Sequence, residues 1–294
     1  KFVDPARYLE AWSLHPNGQS LAVTSRGKLF SFANWEGAVL QHGSDEESLN
    51  AEIITTGIRY RLPCWLPDGK RLVAVSDAGG EEHFVILQAD GSAEPQHLEG
   101  LDIGRPEAVA CNPHQDKLVF SNHRYELLAL DLDTQKLTHI DRGVAHPIMG
   151  FNWSPDGMWV VYSASISLQR LAIKLWNAGS GEVTQITQPV LRDLPPCLEP
   201  HGLVIYFLSY REFDPVYDSL QFDLGFPRGM RPYLITLKND QKSPFVPQPY
   251  VEQPEKNTDE DEDKSDETDG AADSEPEEIN QAASEPGQEQ TSKD

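Results

Sequence analysis

Five times in the first part of the chain, an apolar stretch leads into a turn built on proline, and a second apolar stretch follows. The copies are SLHPNGQSLAV, CWLPDGKRLVAV, ACNPHQDKLVF, NWSPDGMWVVY and CLEPHGLVIYF. Proline presets the first corner of a tight turn, and a glycine two residues later takes the positive φ that closes it. The third copy lacks that glycine. Each copy therefore predicts two antiparallel strands joined by a short turn.

The spacing of these turns sets the size of the repeating unit. The turn prolines are Pro16, Pro67, Pro113, Pro155 and Pro200, so successive copies lie 51, 46, 42 and 45 residues apart. That is the length of a four-stranded propeller blade. A third strand is expected in KLFSF, HFVILQA, ELLALDL, LAIKLWN and PYLITLK, and a weaker fourth strand in VLQHG, PQHLE, KLTHI and VTQIT.

The predicted fold class is all-β, a β-propeller of four-stranded blades, because no helical periodicity accompanies these strands. We expect a partial propeller over residues 1–250, with five blades near 8–43, 58–99, 105–142, 147–188 and 192–248. Two positions are apolar in every copy, as sheet-on-sheet packing requires. They are Leu14, Trp65, Cys111, Trp153 and Leu198 before the proline, and Leu21, Leu72, Leu118, Val160 and Ile205 after it.

The fifth unit differs from the others because residues 210–231 intervene between its second and third strands. A connection of this length is typical of a functional loop or of a docking surface.

The composition changes sharply after residue 250. Residues 251–294 hold seventeen acidic and three basic side chains and no aromatic one, and they supply most of the formal net charge of −23. Such a segment buries too little apolar surface to offset its ordering entropy, so we predict a disordered acidic linker. The acidic balance also argues against nucleic acid as a partner.

The cysteines and the hydropathy of the chain bear on the cellular compartment in which we expect the protein. Cys64, Cys111 and Cys197 form no CxxC pair, and we expect them at buried strand positions. Unpaired thiols fit a reducing cytoplasm. No apolar run is long enough to span a membrane, so no membrane partner is expected. The first residues lack the core of a signal peptide, although the chain does not begin with methionine and a signal upstream stays open.

We find no catalytic, metal or cofactor motif. The chain contains no GxSxG elbow and no HExxH sequence, and Ser180 falls in a predicted hairpin turn. His15, His114 and His201 flank the blade turns and are interpreted as turn or surface residues. Asp214, Asp218 and Asp223 lack the surroundings of a calcium loop. The expectation is no catalytic residue, no metal ligand and no cofactor.

Several segments are similar to one known family. REFDPVYDSLQFDLGFPRGMRPYLITL, together with GKLFSFANWEGAVLQHG, RYRLPCWLPDG, VAVSDAGGEE and NHRYELLALDLDT, resembles the tricorn protease family in the second of its two propellers. The resemblance covers residues 1–248. FDPVYDS and FPRGMRPYLI are its most specific parts, because SPDG-type blades also occur in TolB-like proteins and in prolyl-peptidase propellers.

The resemblance implies a seven-bladed propeller in a large homo-oligomer, with five blades in this chain. It also implies catalytic regions, a PDZ-like domain and a serine nucleophile working with a histidine, none of which lies in this sequence. The chain would then stop inside an insertion between its fifth and sixth blades. An open ring exposes unpaired strand edges, so residues 1–250 alone are expected to be poorly soluble.

Three arginines share one position in the repeat. Arg59, Arg105 and Arg192 stand eight residues before a turn proline, where Tyr8 and Pro147 stand in the other blades. Because the three arginines occupy the same position in the repeat, we expect their side chains to lie at the same level along the propeller axis, near one mouth of the central channel. A ring of arginines there would bind the carboxylates of peptide substrates and act as a gate. The alternative is solvated loop arginines paired with Glu10 or Glu107.

Three functions fit the sequence, and we favour the first because it accounts for the blades, the long connection in the fifth unit and the missing catalytic residues together. The first is the propeller of a tricorn-like serine peptidase, acting as a channel and size filter for peptides delivered to catalytic domains outside this chain. The second is a TolB-like scaffold that binds proteins without catalysis. The third, a small propeller hydrolase, requires carboxylates around the axis, and the predicted innermost strands are apolar.

Overall fold

Each of the five proline turns joins two antiparallel strands in the computed structural model, which describes residues 5–43, 57–212, 214–225 and 229–247. The turn glycines Gly18, Gly69, Gly157 and Gly202 all have φ between 65° and 75°, as the repeat predicts. A single 3-10 turn, Pro5–Tyr8, is the only helical element within these ranges.

Four sheets of four antiparallel strands follow one another along the chain. The first contains β1 (Leu9–Leu14), β2 (Ser20–Ser25), β3 (Lys28–Ala33) and β4 (Leu40–Gln41), and the second β5 (Tyr60–Trp65), β6 (Arg71–Ser76), β7 (His83–Gln88) and β8 (Gln96–Leu98). The third contains β9 (Pro106–Cys111), β10 (Lys117–Asn122), β11 (Glu126–Asp131) and β12 (Lys136–Arg142), and the fourth β13 (Met149–Trp153), β14 (Trp159–Ser165), β15 (Leu171–Asn177) and β16 (Val183–Gln185). The predicted third and fourth strands of these units are confirmed.

The fifth sheet corrects the expectation of four strands in every unit. It contains three strands in the described part of the chain, β17 (Cys197–Leu198), β18 (Val204–Ser209) and β21 (Arg231–Thr236). The long connection between β18 and β21 contains a hairpin of β19 (Val216–Asp218) and β20 (Asp223–Gly225). Residues 237–247 follow β21 without forming a strand.

The two apolar columns of the repeat lie directly opposite each other across the first strand pair of every sheet. The pairs are Leu14 with Leu21, Trp65 with Leu72, Cys111 with Leu118, Trp153 with Val160, and Leu198 with Ile205. Side chains opposite each other on one face of a sheet are in contact, which is the unit of sheet stabilisation. The spacing in the sequence therefore fixes the strand register.

Apolar side chains of neighbouring sheets pack into a shared core at each junction, which we call a seam. Cores lie between the first and second sheets around Leu72, between the second and third around Phe120, between the third and fourth around Tyr162, and between the fourth and fifth around Ile205. The innermost strands β1, β5, β9, β13 and β17 contact one another in chain order. This is the arrangement of blades in a β-propeller.

Hydrogen bonds across the seams repeat with the blades. The indole nitrogens of Trp65 and Trp153 donate to the carbonyls of Ser13 and Ala110 in the preceding sheet, both at 3.1 Å. His15 Nε2 lies 2.8 Å from the carbonyl oxygen of Gly69 in the next sheet. These bonds align neighbouring sheets, a task that non-directional apolar packing does not perform alone.

The chain divides into two units, residues Lys1–Val246 and Pro247–Asp294. The acidic segment predicted over 251–294 lies outside the described residues. Parts of the two specific motifs, Phe213 and residues 226–228, also lie outside them.

The turn glycines offer a matched pair of substitutions. An added Cβ at Gly69 would lie 2.5 Å from His15 Nε2, whereas nothing lies within 4 Å of one at Gly18. Both residues have positive φ, so alanine at either position costs about 1 kcal/mol of backbone strain. We expect Gly69→Ala to cost about 1–2 kcal/mol more, because His15 must move and its hydrogen bond is lost. Urea unfolding followed by tryptophan fluorescence measures the difference, and equal midpoints for the two variants would contradict this account of the seam.

Asp68 gives a second prediction, on pH. Burial alone raises the pKa of Asp68, but hydrogen bonds from Arg71 and from two backbone amides hold it below its ordinary value. A carboxylate with a lowered pKa stabilises the fold above its unfolded pKa of about 3.9, and the contribution is lost as pH falls through the folded pKa. Asp68→Asn should cost about 1 kcal/mol at neutral pH and progressively less toward about pH 2. Urea midpoints measured across this range test it, and a cost independent of pH would refute it.

Candidate functional site

The three arginines that share a repeat position also share a backbone environment. Arg59 and Arg105 directly precede β5 and β9, and Arg192 lies five residues before the start of β17. The carbonyl of each arginine accepts a hydrogen bond from the amide eighteen residues later. The bonds join Asp77 to Arg59 at 3.3 Å, His123 to Arg105 at 3.0 Å, and Tyr210 to Arg192 at 3.1 Å. In return, the amide of Arg59 donates to Asp77 Oδ1 at 2.7 Å, and the amide of Arg105 donates to His123 Nδ1 at 3.0 Å. These segments therefore enter their sheets in equal register.

Two of the three arginines line one cleft, which we call the arginine cleft. It has a volume of about 320 Å³, and its charged lining residues are Glu10, Arg59, Arg61, Asp77, Glu82 and Arg105. Arg59 packs over Gly27, where an added Cβ would lie 3.1 Å from the arginine side chain. Arg192 is exposed and does not line this cleft.

Glu82 balances much of the positive charge in the arginine cleft. Its Oε1 lies 2.6 Å from Arg61 Nη1 and 4.0 Å from Arg105 Nε. Glu10 accepts a hydrogen bond from the amide of Gly27 at 3.2 Å. Among the described residues no carboxylate lies within 4.0 Å of the Arg59 guanidinium, so Arg59 is the arginine of this cleft with the most capacity for an incoming anion.

Sequence reasoning missed Arg61 because of a bulge in β5. Residues alternate faces along a regular strand, but the register of β5 shifts between Arg61 and Cys64, and Leu62 has a φ of 51°. A bulge re-aims the side chains beside it. The non-glycine residue at positive φ has no signature in the sequence, although Pro63 next to it is a residue tolerated at bulges.

A second, larger cleft adjoins the arginine cleft and shares Glu82 and Arg105 with it. It has a volume of about 860 Å³ and is lined by the 78–83 turn and by residues 99–105, among them Glu81, Glu99 and Asp102. A hydrogen bond from Arg124 lowers the pKa of Asp102, which keeps this carboxylate charged. Arg105 thus stands where an acidic cleft meets a cleft rich in arginine.

Arg192 is followed by a buried ionic cluster at the base of the fifth sheet. Asp193 is fully buried, and its carboxylate accepts hydrogen bonds from Ser209 Oγ at 2.5 Å and from Arg211 Nη2 at 2.6 Å. The Arg211 guanidinium also lies over the rings of Phe207 and Tyr233, 5.6 and 5.7 Å from their centroids. These contacts fix both ends of the segment that carries the β19–β20 hairpin.

The residues considered for catalysis or metal binding have structural contacts. His114 Nε2 lies 2.7 Å from the carbonyl oxygen of Pro155, and His15 bonds across the first seam as described. His201 is exposed, 3.8 Å from Glu199. Ser180 lies in the turn between β15 and β16, where its amide donates to Asn177. Asp214 pairs with Arg231 at 3.4 Å.

Among the described residues, no group of three or more histidine, cysteine, aspartate or glutamate side chains is arranged to hold a metal ion. No helix in the same ranges has the length and apolar character needed to cross a membrane.

Comparison with known proteins gives a family match over most of the chain. Residues 9–285 match the family model described as Tricorn protease second beta propeller domain. The Tricorn protease homolog of Saccharolobus solfataricus is 33% identical over 245 residues, covering 83% of this chain and 21% of that protein. The Tricorn protease homolog 1 of Streptomyces coelicolor is 31% identical over 251 residues, 84% of this chain and 23% of that protein. The chain thus spans about a quarter or less of the length of these relatives.

Solved structures give the same fold. The crystal structure of the tricorn protease superposes with a TM-score of 0.68 at 20% identity, covering 82% of this chain and 22% of that one. At these identities the likeness shows the fold, a β-propeller, and no activity.

The buried cluster gives a third prediction. Replacing Asp193 by alanine removes the buried carboxylate that pairs with the partly exposed Arg211 guanidinium and accepts from the buried Ser209 hydroxyl. This loss should destabilise the fifth sheet by about 2 kcal/mol. Asp214→Ala is the matched control, because its pair with Arg231 is exposed and worth less than about 1 kcal/mol. Limited proteolysis, followed by mapping of cuts in residues 210–231, should show rapid cleavage only in Asp193→Ala. Equal cleavage of the two variants would count against the anchoring role.

Proposed function

The chain belongs to the tricorn protease family, and on that premise we propose that it forms the substrate channel and size filter of a serine-type peptidase. In this proposal peptides pass along the innermost strands toward catalytic and PDZ-like domains of the same polypeptide, located outside this chain. The observation that carries the proposal is the arginine cleft, in which Arg59 and Arg105 of neighbouring blades line one cavity.

The charge of the cleft suits the ends of a short peptide. Arg59 has no acidic side chain within 4.0 Å in the described ranges, so its guanidinium can form forked hydrogen bonds with a peptide carboxylate. The adjoining cleft with Glu81, Glu99 and Asp102 suits an amino terminus or a basic side chain. Charge pairs in a confined cleft interact more strongly than pairs on an exposed surface.

The exposed face of the first sheet supports a larger propeller. Leu14 is 50% exposed and Trp12 64%, whereas Trp65, at the position in β5 equivalent to Leu14, is 7% exposed because the first sheet covers it. Apolar residues in a row on a sheet face favour a covering partner. We propose that a further blade covers β1, in a seven-bladed ring of which this chain supplies the blades near 8–43, 58–99, 105–142, 147–188 and 192–248. The acidic segment 251–294 acts as a linker, and the assembly is a cytoplasmic homo-oligomer.

A TolB-like binding scaffold is the second candidate. A TolB structure from Agrobacterium tumefaciens superposes with a TM-score of 0.50 at 20% identity and covers 78% of this chain and 77% of that one. In this function the same clefts would bind a protein segment without delivering it to a catalytic site.

The test uses the complete polypeptide and separates the arginines by position. Arg59→Ala with Arg105→Ala removes both repeat arginines from the cleft, and Arg192→Ala removes the one outside it. We expect turnover of long peptides to fall about tenfold in the double variant, the loss expected for about 1.4 kcal/mol of carboxylate binding. Turnover of di- and tripeptides, which need no guidance, should change less than about twofold, and Arg192→Ala should leave both substrates unaffected.

The outcomes distinguish the candidates. If long and short peptides respond alike, the cleft does not act as a gate. If the complete polypeptide cleaves no peptide and instead retains a folded protein partner, with retention lost in the double variant, the scaffold is the correct function.

A further inference from the structure

Two cysteines that are distant in the sequence meet at the seam between the second and third sheets. Cys64 lies on β5 and Cys111 at the end of β9, 47 residues along the chain. The backbone amide of Cys111 donates a hydrogen bond to the Cys64 sulfur at 3.2 Å. Only Cα and Cβ separate that nitrogen from the sulfur of Cys111, so the second thiol lies within reach of the first.

The two cysteines border an apolar core. Both are half-buried and free, and both pack against the core that contains Leu66, Phe84 and Leu118. This corrects the expectation of buried cysteines, most clearly for Cys197, which is exposed on β17 of the fifth sheet. Cys197 therefore provides an isolated thiol for comparison.

The environment makes the two thiols unequal. A hydrogen bond from the side chain of Cys111 lowers the pKa of the Cys64 thiol. Burial, together with the bond to Cys64, raises the pKa of Cys111 well above its ordinary value. Since the thiolate is the reactive form, Cys64 is the nucleophile of the pair, and Cys111 holds its proton until Cys64 has reacted.

We propose that Cys64 and Cys111 form a redox-active dithiol that closes to a disulfide across the seam between the second and third sheets. The oxidant is a small-molecule disulfide. The Cys64 thiolate attacks one of its sulfurs, a mixed disulfide forms, and one thiolate of the reagent leaves. Cys111 then loses its proton to solvent and attacks the Cys64 sulfur, which expels the second reagent thiolate. Two protein thiols are oxidised, and one disulfide is reduced to two thiols.

The position of this pair gives the disulfide a structural consequence. Cys64 lies on the strand that carries Arg61, and Cys111 lies on the strand that begins directly after Arg105. A covalent bond between β5 and β9 therefore ties together the two strands whose entry segments form the arginine cleft. Formation of the disulfide would hold the walls of the cleft in place. After its reduction, only non-covalent contacts would join the second and third sheets.

The experiment is disulfide mapping on the complete polypeptide. The reduced protein is incubated with oxidised glutathione at neutral pH, the remaining thiols are alkylated, and the digest is analysed by mass spectrometry without reduction. We expect a linked peptide containing Cys64 and Cys111, formed to the same extent in Cys197→Ser. In Cys111→Ser the linked peptide is lost and glutathione stays on Cys64, whereas in Cys64→Ser the remaining Cys111 reacts slowly.

Two results would overturn the proposal. One is glutathione attached separately to Cys64 and Cys111 in the unsubstituted protein, and the other is modification of Cys197 alone. A second measurement avoids dependence on the serine variants, in case either fails to fold. A trivalent aryl arsenical binds paired thiols far more tightly than single ones, so at low concentration it should protect Cys64 and Cys111 together from alkylation in the unsubstituted protein and leave Cys197 unprotected. Failure to protect both would show that the thiols do not act as a pair.

Discussion

The faces of each four-stranded sheet are apolar, and burying both of them requires another sheet on either side. The seams satisfy this requirement wherever two sheets of the chain meet, and the side chains there are almost completely buried, as Tyr162 and Phe120 are. Burial of this kind contributes about 25 cal/mol for each Å² of apolar surface removed from water. The stability of the structure therefore depends on sheet-to-sheet packing more than on any single turn or ion pair.

Apolar packing alone does not decide how far one sheet slides along the next. That is the role of the few polar contacts in the seams, such as the indole bonds of Trp65 and Trp153 and the bridge that Arg71 makes to Asp116 at 2.6 Å. Each contributes on the order of 1 kcal/mol, little beside the core. Their effect is on alignment, and alignment brings Arg59 and Arg105 from adjacent blades to one cleft.

The repeat in the sequence predicted the structural features that are determined by residues within a single sheet. The turns with Gly18 and Gly69, the paired apolar columns and the third strands all follow from proline chemistry and strand periodicity over a few residues. The hairpin in the fifth unit was not predicted, because its strands are three residues long and carry little periodicity. The absence of a fourth strand in the fifth sheet, within the described residues, also departs from the repeat.

Contacts between blades were beyond sequence reasoning for a different reason. Whether Cys64 meets Cys111, or Glu82 approaches Arg105, depends on the bulge in β5 and on the rotation of one sheet against the next. A one-residue shift of register reverses the face that a side chain occupies. The three candidate arginines are equally spaced in the repeat, and their backbones make the same hydrogen bond in each sheet. Arg192 nevertheless does not line the cleft with Arg59 and Arg105.

The four seams are not equally large. The core between the second and third sheets has twelve buried residues in the described part of the chain, and the core between the fourth and fifth has four, Val161, Ile173, Ile205 and Phe207. In an array where each unit contacts only its neighbours, the energy of separating two units is that of their own interface. The fifth sheet therefore separates from its neighbour at the lowest cost, while the first four sheets stay packed together. A β-propeller built this way has a preferred place to open.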